Sequence, residues 1–291
     1  MSNALRRRLL GAAIIGAALL LAGCSAIRLA YSGAPQFTWW WLDGQFDFAS
    51  EQTPQVKEAI DRWFAWHRNT QLPEYVQWLG QLEKRAGDGI DAAQVCALYG
   101  DVRQRLQPSI DQALERAADL VPVLTMAQVN HFEASLAKSS AELRREFLQP
   151  DMAERRRAAV KRMVGRYERF YGSLDEPMRR AVEAGVAATP FDAALWLADR
   201  ERRNRDVVQT LRRWLAERPD RAVVLREMRE LALRLEASAD PAYRAVQQRA
   251  GEHNCRVAAN VHNAAGPAQR EALKRQLRAW AADLKALNGP A

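Results

Sequence analysis

The sequence predicts an all-α fold, a multi-helix bundle of about ten helices after a cleaved signal peptide. Apolar residues recur at helical spacing along most of the chain, as in Val56, Ile60, Trp63, Phe64 and His67. No segment alternates apolar and polar residues between turn signals in the way that indicates a β-strand. Short breaks rich in proline and glycine separate the periodic segments, which is typical of helices joined by short connections.

Start signals divide the N-terminal half of the chain. A Thr, Asp or Asn before a periodic segment predicts an N-cap, and proline suits the first helical turn. Thr125 followed by Gln128 predicts a capping box, and Pro108 either kinks the third helix or starts the next. The predicted starts are Thr53-Pro54, Leu72-Pro73, Asp91 and Thr125.

Six further helices are predicted after Pro150. Their breaks contain a Gly-Ser pair or a residue followed by proline. The predicted spans are 151–171, 175–188, 191–217, 219–237, 240–262 and 267–288. We expect residues 37–291 to form a single all-α domain, with a division into sub-bundles 37–150 and 151–291 left open.

The start of the chain predicts an export signal. Arg6, Arg7 and Arg8 precede an uncharged run over 9–22, which is shorter than the roughly 20 residues of a spanning helix. The ending Leu-Ala-Gly-Cys24 resembles the lipobox of bacterial lipoproteins. That resemblance implies removal of residues 1–23 and acylation of Cys24, with palmitate among the acyl groups. A transmembrane anchor with an incidental cysteine is the alternative.

Acylation at Cys24 would make the membrane the first partner of this protein. A diacylglycerol and an amide-linked chain together exceed what stable anchoring needs. Residues 24–36 would then be a short lipid-anchored tether. Ser25, where an inner-membrane lipoprotein of enterobacteria has aspartate, implies by resemblance the periplasmic side of the outer membrane. The inner membrane and the cell surface stay open.

Charge and composition narrow the classes of partner. Removal of residues 1–23 leaves 268 residues with 40 basic and 35 acidic side chains, a net charge of +5. Nucleic acid is not an expected partner for an exported protein, whereas anionic lipid head groups are compatible with its location. Most arginines alternate with acidic residues along the sequence, which is typical of solvated helix faces.

Two cysteines remain beside Cys24. Cys96 and Cys255 can pair in only one intramolecular way, and an oxidising compartment favours that bond. The sequence therefore predicts a Cys96–Cys255 disulfide. It would close a loop of about 160 residues, worth roughly 5 kcal/mol on the chain-entropy model. Two separate buried thiols are the alternative.

An aromatic cluster near the lipid raises the main question about function. Three consecutive tryptophans cannot all face one core, because neighbours on a helix are about 100° apart. At least one must face a second protein layer, a partner or the membrane interface, where tryptophan is favoured. Packing of the cluster as part of the protein core is the alternative to an interface. The candidate interaction surface consists of Trp39, Trp40, Trp41, Phe46, Trp63, Trp66 and His67.

A second polar feature lies near the C-terminus. We expect either a buried polar seam or a patch that faces a ligand or partner. Residues 253 and 262 lie about 2.5 turns apart on one helix and so point in roughly opposite directions, which disfavours a metal site. No metal, nucleophile, phosphate or dinucleotide motif is found, so no cofactor and no catalytic residue are predicted. The candidate seam consists of His253, Asn254, Asn260, His262 and Asn263.

Long stretches of the chain resemble a known family. WWWLDGQFDF, DRWFAWHR and LPEYVQWL are similar to the N-terminal signature of a proteobacterial family of uncharacterised lipoproteins, a domain-of-unknown-function family. The likeness continues through LTMAQVNHFEASLAKSSAELRREFL, GVAATPFDAALWLADRERR, DPAYRAVQQR and NCRVAANVHNAAGPAQR, and it covers essentially the whole mature chain. The resemblance implies an all-helical lipoprotein and supplies no activity. Separately, LTMAQ resembles the L-T-x-x-Q motif of small helical periplasmic stress chaperones.

These observations predict a non-enzymatic envelope protein that binds a protein partner or acts as an assembly factor. The alternatives are a chaperone-like protein that binds unfolded clients, and a ligand carrier or enzyme built on the seam around His253, Asn260 and His262. A deep pocket joining that seam to His67 would favour the enzyme.

Overall fold

The computed structural model describes residues 26–288, and their regular structure is entirely helical. The signal segment 1–23 and the predicted lipidation site Cys24 lie outside the described residues. The predicted all-α bundle is confirmed. The described residues form ten α-helices: α1 Ala26–Phe46, α2 Thr53–Arg85, α3 Ala92–Ala118, α4 Met126–Phe147, α5 Met152–Tyr171, α6 Glu176–Ala187, α7 Ala193–Glu217, α8 Arg221–Glu236, α9 Pro241–Asn263 and α10 Pro267–Leu287. A 3₁₀ turn, Val121–Val123, lies between α3 and α4.

Polar N-caps set where most of these helices begin. Asp91 and Gln94 form a full capping box at α3, and Thr125 and Gln128 form the predicted one at α4. Aspartates at 151, 175, 192 and 240 accept bonds from the first turns of α5, α6, α7 and α9. The starts of the C-terminal helices therefore fall within two residues of those predicted.

The predicted helix start at Leu72-Pro73 is wrong. Helix α2 continues through Pro73, and α3 continues through Pro108. An internal proline costs about 3 kcal/mol in an isolated helix. Here Leu72 is almost fully buried and α2 packs against α10, so tertiary packing offsets that cost.

Helix α1 is a further difference from the expected organisation. Of the predicted tether over 24–36, every described residue from Ala26 onward is helical and continuous with the segment that carries the tryptophans. The helix contains Pro35 and has neither an acidic first turn nor a basic last turn. Its contacts with α2, α4 and α10 hold it in place.

Two main cores draw on both halves of the chain. The first lies between α2, α5, α6, α9 and α10, and includes Met178, Val182 and Val261. The second lies between α3, α4, α7 and α8, and includes Val129 and Trp214. A boundary at residue 150 therefore does not separate the cores.

The predicted disulfide is present. Cys96 on α3 is bonded to Cys255 on α9, with Cα atoms 5.4 Å apart and a sequence separation of 159 residues. Cys255 is buried beside Val95 and Ala259. Of the ten helices, none combines the length and the apolar content that crossing a bilayer requires, over residues 26–288.

Candidate functional site

Helix α1 presents an exposed aromatic face. At about 100° per residue, Leu29, Phe37, Trp40 and Trp41 fall within an arc of about 120°. Their side chains are 72%, 61%, 57% and 63% exposed, respectively. No charged residue falls within this arc. We call these four residues the outer aromatic face.

The three consecutive tryptophans of α1 differ in burial. Trp39 is only 9% exposed and packs with Val56 and Ile60. Its ring stacks on Phe48 at 5.9 Å between centroids, and Lys57 Nζ lies 5.1 Å from the ring centre. Trp39 is therefore a core residue, whereas its two neighbours face outward.

Phe46 and Trp63 of the predicted interaction surface are packed against other helices. Phe46 stacks on Phe132 at 4.6 Å, and Trp63 Nε1 donates a hydrogen bond to the Ser109 carbonyl at 3.0 Å. Trp66 is half-buried. The candidate surface is thus narrowed to Trp40 and Trp41, to which the structure adds Leu29 and Phe37.

His67 lies in an aromatic cage between α1 and α2. Its ring stacks on Trp63 at 4.7 Å, and its Nδ1 lies 2.9 Å from the Tyr31 hydroxyl. Tyr75 contacts the ring edge-on at 5.7 Å. Burial lowers the pKa of His67 to about 4, so the ring is neutral near pH 7. The arrangement fastens α1 to α2.

The two histidines of the predicted seam act as separate clamps. His253 Nε2 donates to the Gly185 carbonyl at 2.9 Å, which joins α9 to α6. His262 Nε2 lies 2.7 Å from the Asp88 carbonyl, and its Nδ1 lies 2.8 Å from the Tyr171 hydroxyl. Burial lowers the pKa of His262. Both ring positions of His262 are therefore occupied by neighbouring groups of the chain.

The asparagines of the seam do not join these histidines in one site. Asn254, Asn260 and Asn263 are exposed. Asn263 Oδ1 accepts from the Ile90 amide at 3.0 Å, and its Nδ2 donates to the Ile90 carbonyl at 2.8 Å. Asn263 therefore fastens the segment before α3 to the end of α9.

A cavity of about 340 Å³ opens beside His253 and Asn254, with Phe147 and Trp196 in its wall. Neither His67 nor His262 lines it. This cavity therefore does not join the seam to His67. Within the described part of the chain, His, Cys, Asp and Glu side chains form no group of three that could hold a metal ion.

A larger apolar cavity lies behind α1. It has a volume of about 480 Å³ and is bounded by α1, α2, α3, the 3₁₀ turn and the neighbouring parts of α7 and α8. Thr38 and Leu42 line it from the side of α1 that faces away from the outer aromatic face. Arg116 on α3 contributes the one charged side chain of the wall.

Sequence reasoning missed a buried acidic residue, Asp199 on α7. Arg202 and Arg203 both pair with it, and the Ser238 hydroxyl donates to it at 2.7 Å. Asp199 lies within the GVAATPFDAALWLADRERR stretch, but nothing in the local pattern distinguishes it from a solvated acid. Its hydrogen bonds join α7 to the segment before α9.

The Thr125-Gln128 motif also has a structural role. The Gln128 side chain is buried, accepts from the Thr125 amide at 2.9 Å and donates to the Gln52 side chain at 2.6 Å. It thereby fastens the start of α4 to the start of α2. The likeness of LTMAQ to a chaperone motif is accounted for by this capping geometry.

The fold and site together define a class: an all-helical, disulfide-linked domain with an exposed aromatic helix face and an apolar cavity behind it. The family model of DUF6279, a family of unknown function, matches residues 45–244, and the chain belongs to that family. No curated protein and no solved structure matches the chain. The family match begins after the tryptophans and ends within α9.

Proposed function

We propose that this DUF6279 protein is a lipid-anchored, non-enzymatic envelope protein that binds a protein partner at the periplasmic side of the outer membrane. The observation that carries the proposal is the outer aromatic face. Exposed tryptophans are expensive to leave in water and are enriched among the residues that dominate protein interfaces. Trp40 and Trp41 therefore mark the contact surface, and an assembly role is the function that such a contact supports.

The predicted anchor supports this location. Helix α1 begins at Ala26, two residues after Cys24. At 1.5 Å per residue, the tryptophans lie roughly 22 Å along the helix from its start. A lipid on Cys24 would therefore keep Trp40 and Trp41 within roughly 30 Å of the bilayer surface, within reach of other membrane-attached proteins.

The non-enzymatic part of the proposal is supported by how the titratable side chains are used. His67, His253 and His262 each bond to a neighbouring group of the chain across a helix contact. Asp199 forms ion pairs with two arginines and accepts a hydrogen bond from Ser238. Each of these groups has a role in holding the bundle together.

In-cell photocrosslinking tests the proposal. A photoreactive amino acid would replace Trp40 or Trp41 in the full chain, and Tyr99 would be the matched control, because it is also aromatic and exposed but lies on α3. We expect a discrete protein adduct from the two tryptophan positions and none from Tyr99. Mass spectrometry of that adduct identifies the partner.

Two outcomes would contradict the proposal that the outer aromatic face binds a protein partner. Adducts to lipid alone would place the outer aromatic face in the membrane interface, which its lack of charge also suits. Folded, disulfide-bonded protein without any adduct would remove the face as a contact surface. Replacing Trp39 is not informative, because that side chain is part of the core.

A further inference from the structure

We propose that the cavity behind α1 is a binding site for a long acyl chain with an anionic end, whose charge pairs with Arg116. This site goes beyond the protein-binding role and does not depend on it. The outer aromatic face and the cavity lie on opposite sides of α1, so each can be occupied while the other is free.

The size and shape of the cavity suit a small-molecule ligand. The cavity volume of about 480 Å³ lies within the roughly 300–1,000 Å³ typical of small-molecule sites. Five helices and the 3₁₀ turn contribute to its wall, and several lining side chains, such as Val56, Ile60 and Leu211, are themselves buried. Ala113 is an exposed lining residue and marks the opening to solvent.

The chemistry of the wall selects an apolar chain. Thr38, Trp63 and Arg116 are the lining residues with polar side-chain groups. Trp63 already donates its Nε1 proton to the Ser109 carbonyl. A sugar, nucleotide or peptide would leave its polar groups unpaired in such a wall, which is unfavourable. A hydrocarbon chain has no such groups.

Arg116 favours a negative charge at the end of the bound acyl chain. Its side chain is half-buried, and its Nε is buried without a hydrogen-bond partner. Within residues 26–288 the structure gives Arg116 no ion pair, although the adjacent Glu115 pairs with Arg221 and Arg229. A buried donor without a partner is unfavourable, and a carboxylate or phosphate beside the guanidinium would supply that partner.

Both a free fatty acid and an anionic phospholipid carry this chemistry, and photolabelling distinguishes them. The full, lipidated protein would be placed in phosphatidylcholine nanodiscs. One arm adds palmitate with a diazirine in its chain, and the other adds phosphatidylglycerol with the same labelled chain. We expect adducts on peptides that contain Leu211 or Met228, because these residues line the cavity but belong to α7 and α8.

Matched variants locate the site. Ala59→Phe fills the cavity from α2 and is expected to abolish cavity labelling. Arg116→Gln keeps the space and removes the charge, and is expected to reduce labelling about tenfold. Arg256→Gln is the control, because Arg256 is exposed on α9 and does not line the cavity. An intact disulfide and unchanged helix content show that each variant is folded.

The outcomes decide the proposal. Labelling of the cavity by palmitate alone supports a fatty acid, and labelling by the phospholipid supports a membrane lipid. Adducts confined to α1, or cavity adducts that neither Ala59→Phe nor Arg116→Gln reduces, would overturn the site. Excess unlabelled palmitate and excess hexadecyltrimethylammonium would each be added as competitors of cavity labelling. Equal reduction of labelling by the two would overturn the role of Arg116, because a cationic head group cannot pair with a guanidinium.

Discussion

The Tyr171 hydroxyl lies 2.8 Å from His262 Nδ1, and the other ring nitrogen of His262 faces the Asp88 carbonyl at 2.7 Å. A carbonyl oxygen only accepts hydrogen bonds, so Nε2 carries the proton. Nδ1 of the neutral ring is therefore an acceptor, and the tyrosine hydroxyl donates to it. This chain of bonds joins α5, α9 and the segment before α3.

Tyr171→Phe should destabilise the protein by about 1–3 kcal/mol, because it leaves the buried Nδ1 of His262 without a donor. Denaturant unfolding measures this change as a lower midpoint. Tyr99→Phe is the control, because the Tyr99 side chain is exposed and the substitution leaves the buried bonds intact. Equal midpoints for the two variants would contradict the prediction.

Acid should weaken the contact between α1 and α2. Burial lowers the pKa of His67 from 6.5 to about 4, so the unfolded chain binds a proton at this residue before the folded chain does. Stability contributed by the neutral ring is complete above pH 6.5 and is lost as the pH falls toward 4. His262, with a lowered pKa, acts in the same direction.

Denaturant unfolding of the native protein and of His67→Phe between pH 7 and pH 4 checks this sign. The difference in the free energy of unfolding should shift in favour of the variant as the pH falls, because phenylalanine takes up no proton. A difference that stays constant over this range would show that His67 does not titrate with a lowered pKa.

Gly185→Ala should destabilise the contact between α6 and α9. A β-carbon at Gly185 would lie 2.6 Å and 2.7 Å from the two γ-methyl carbons of Val257. Overpacking of this kind costs typically about 1–3 kcal/mol. Thermal or denaturant unfolding measures the loss, and a second change, Val257→Ala, should recover part of it.

Gly165→Ala provides the matched control on α5. Apart from the adjoining residues and the backbone of its own helix, no atom lies within 4 Å of the position that a β-carbon would occupy there. Alanine should therefore stabilise the protein by about 0.5–1 kcal/mol through the ordinary helix propensity difference. A loss of stability from both substitutions would argue against the close approach at Gly185 as the cause.

Loss of the disulfide should lower the free energy of unfolding by about 2–5 kcal/mol. The double variant Cys96→Ser, Cys255→Ser tests this directly, since the bond joins α3 to α9 across 159 residues of sequence. Reductant should bring the native protein to the stability of the variant and leave the variant unchanged. An effect of reductant on the variant would point to a different thiol.

Local chemistry explains which parts of the fold could be predicted. Capping at Thr125 and at the aspartates before α3, α5, α6, α7 and α9 depends on side chains within three residues. These helix starts can therefore be predicted from the local sequence. Pro73 is different, because its local cost is outweighed by the packing of α2 on a helix that lies almost 200 residues further on.

By itself, the sequence determined the helical class, the positions of most helix starts and the pairing of Cys96 with Cys255. These follow from periodicity, caps and a count of cysteines. Tertiary structure alone decided that Trp39 is buried while Trp40 and Trp41 are exposed, and that Arg116 faces an apolar cavity. The physical reason is that burial and cavity shape depend on side chains from helices distant in sequence, whose contacts no local pattern records.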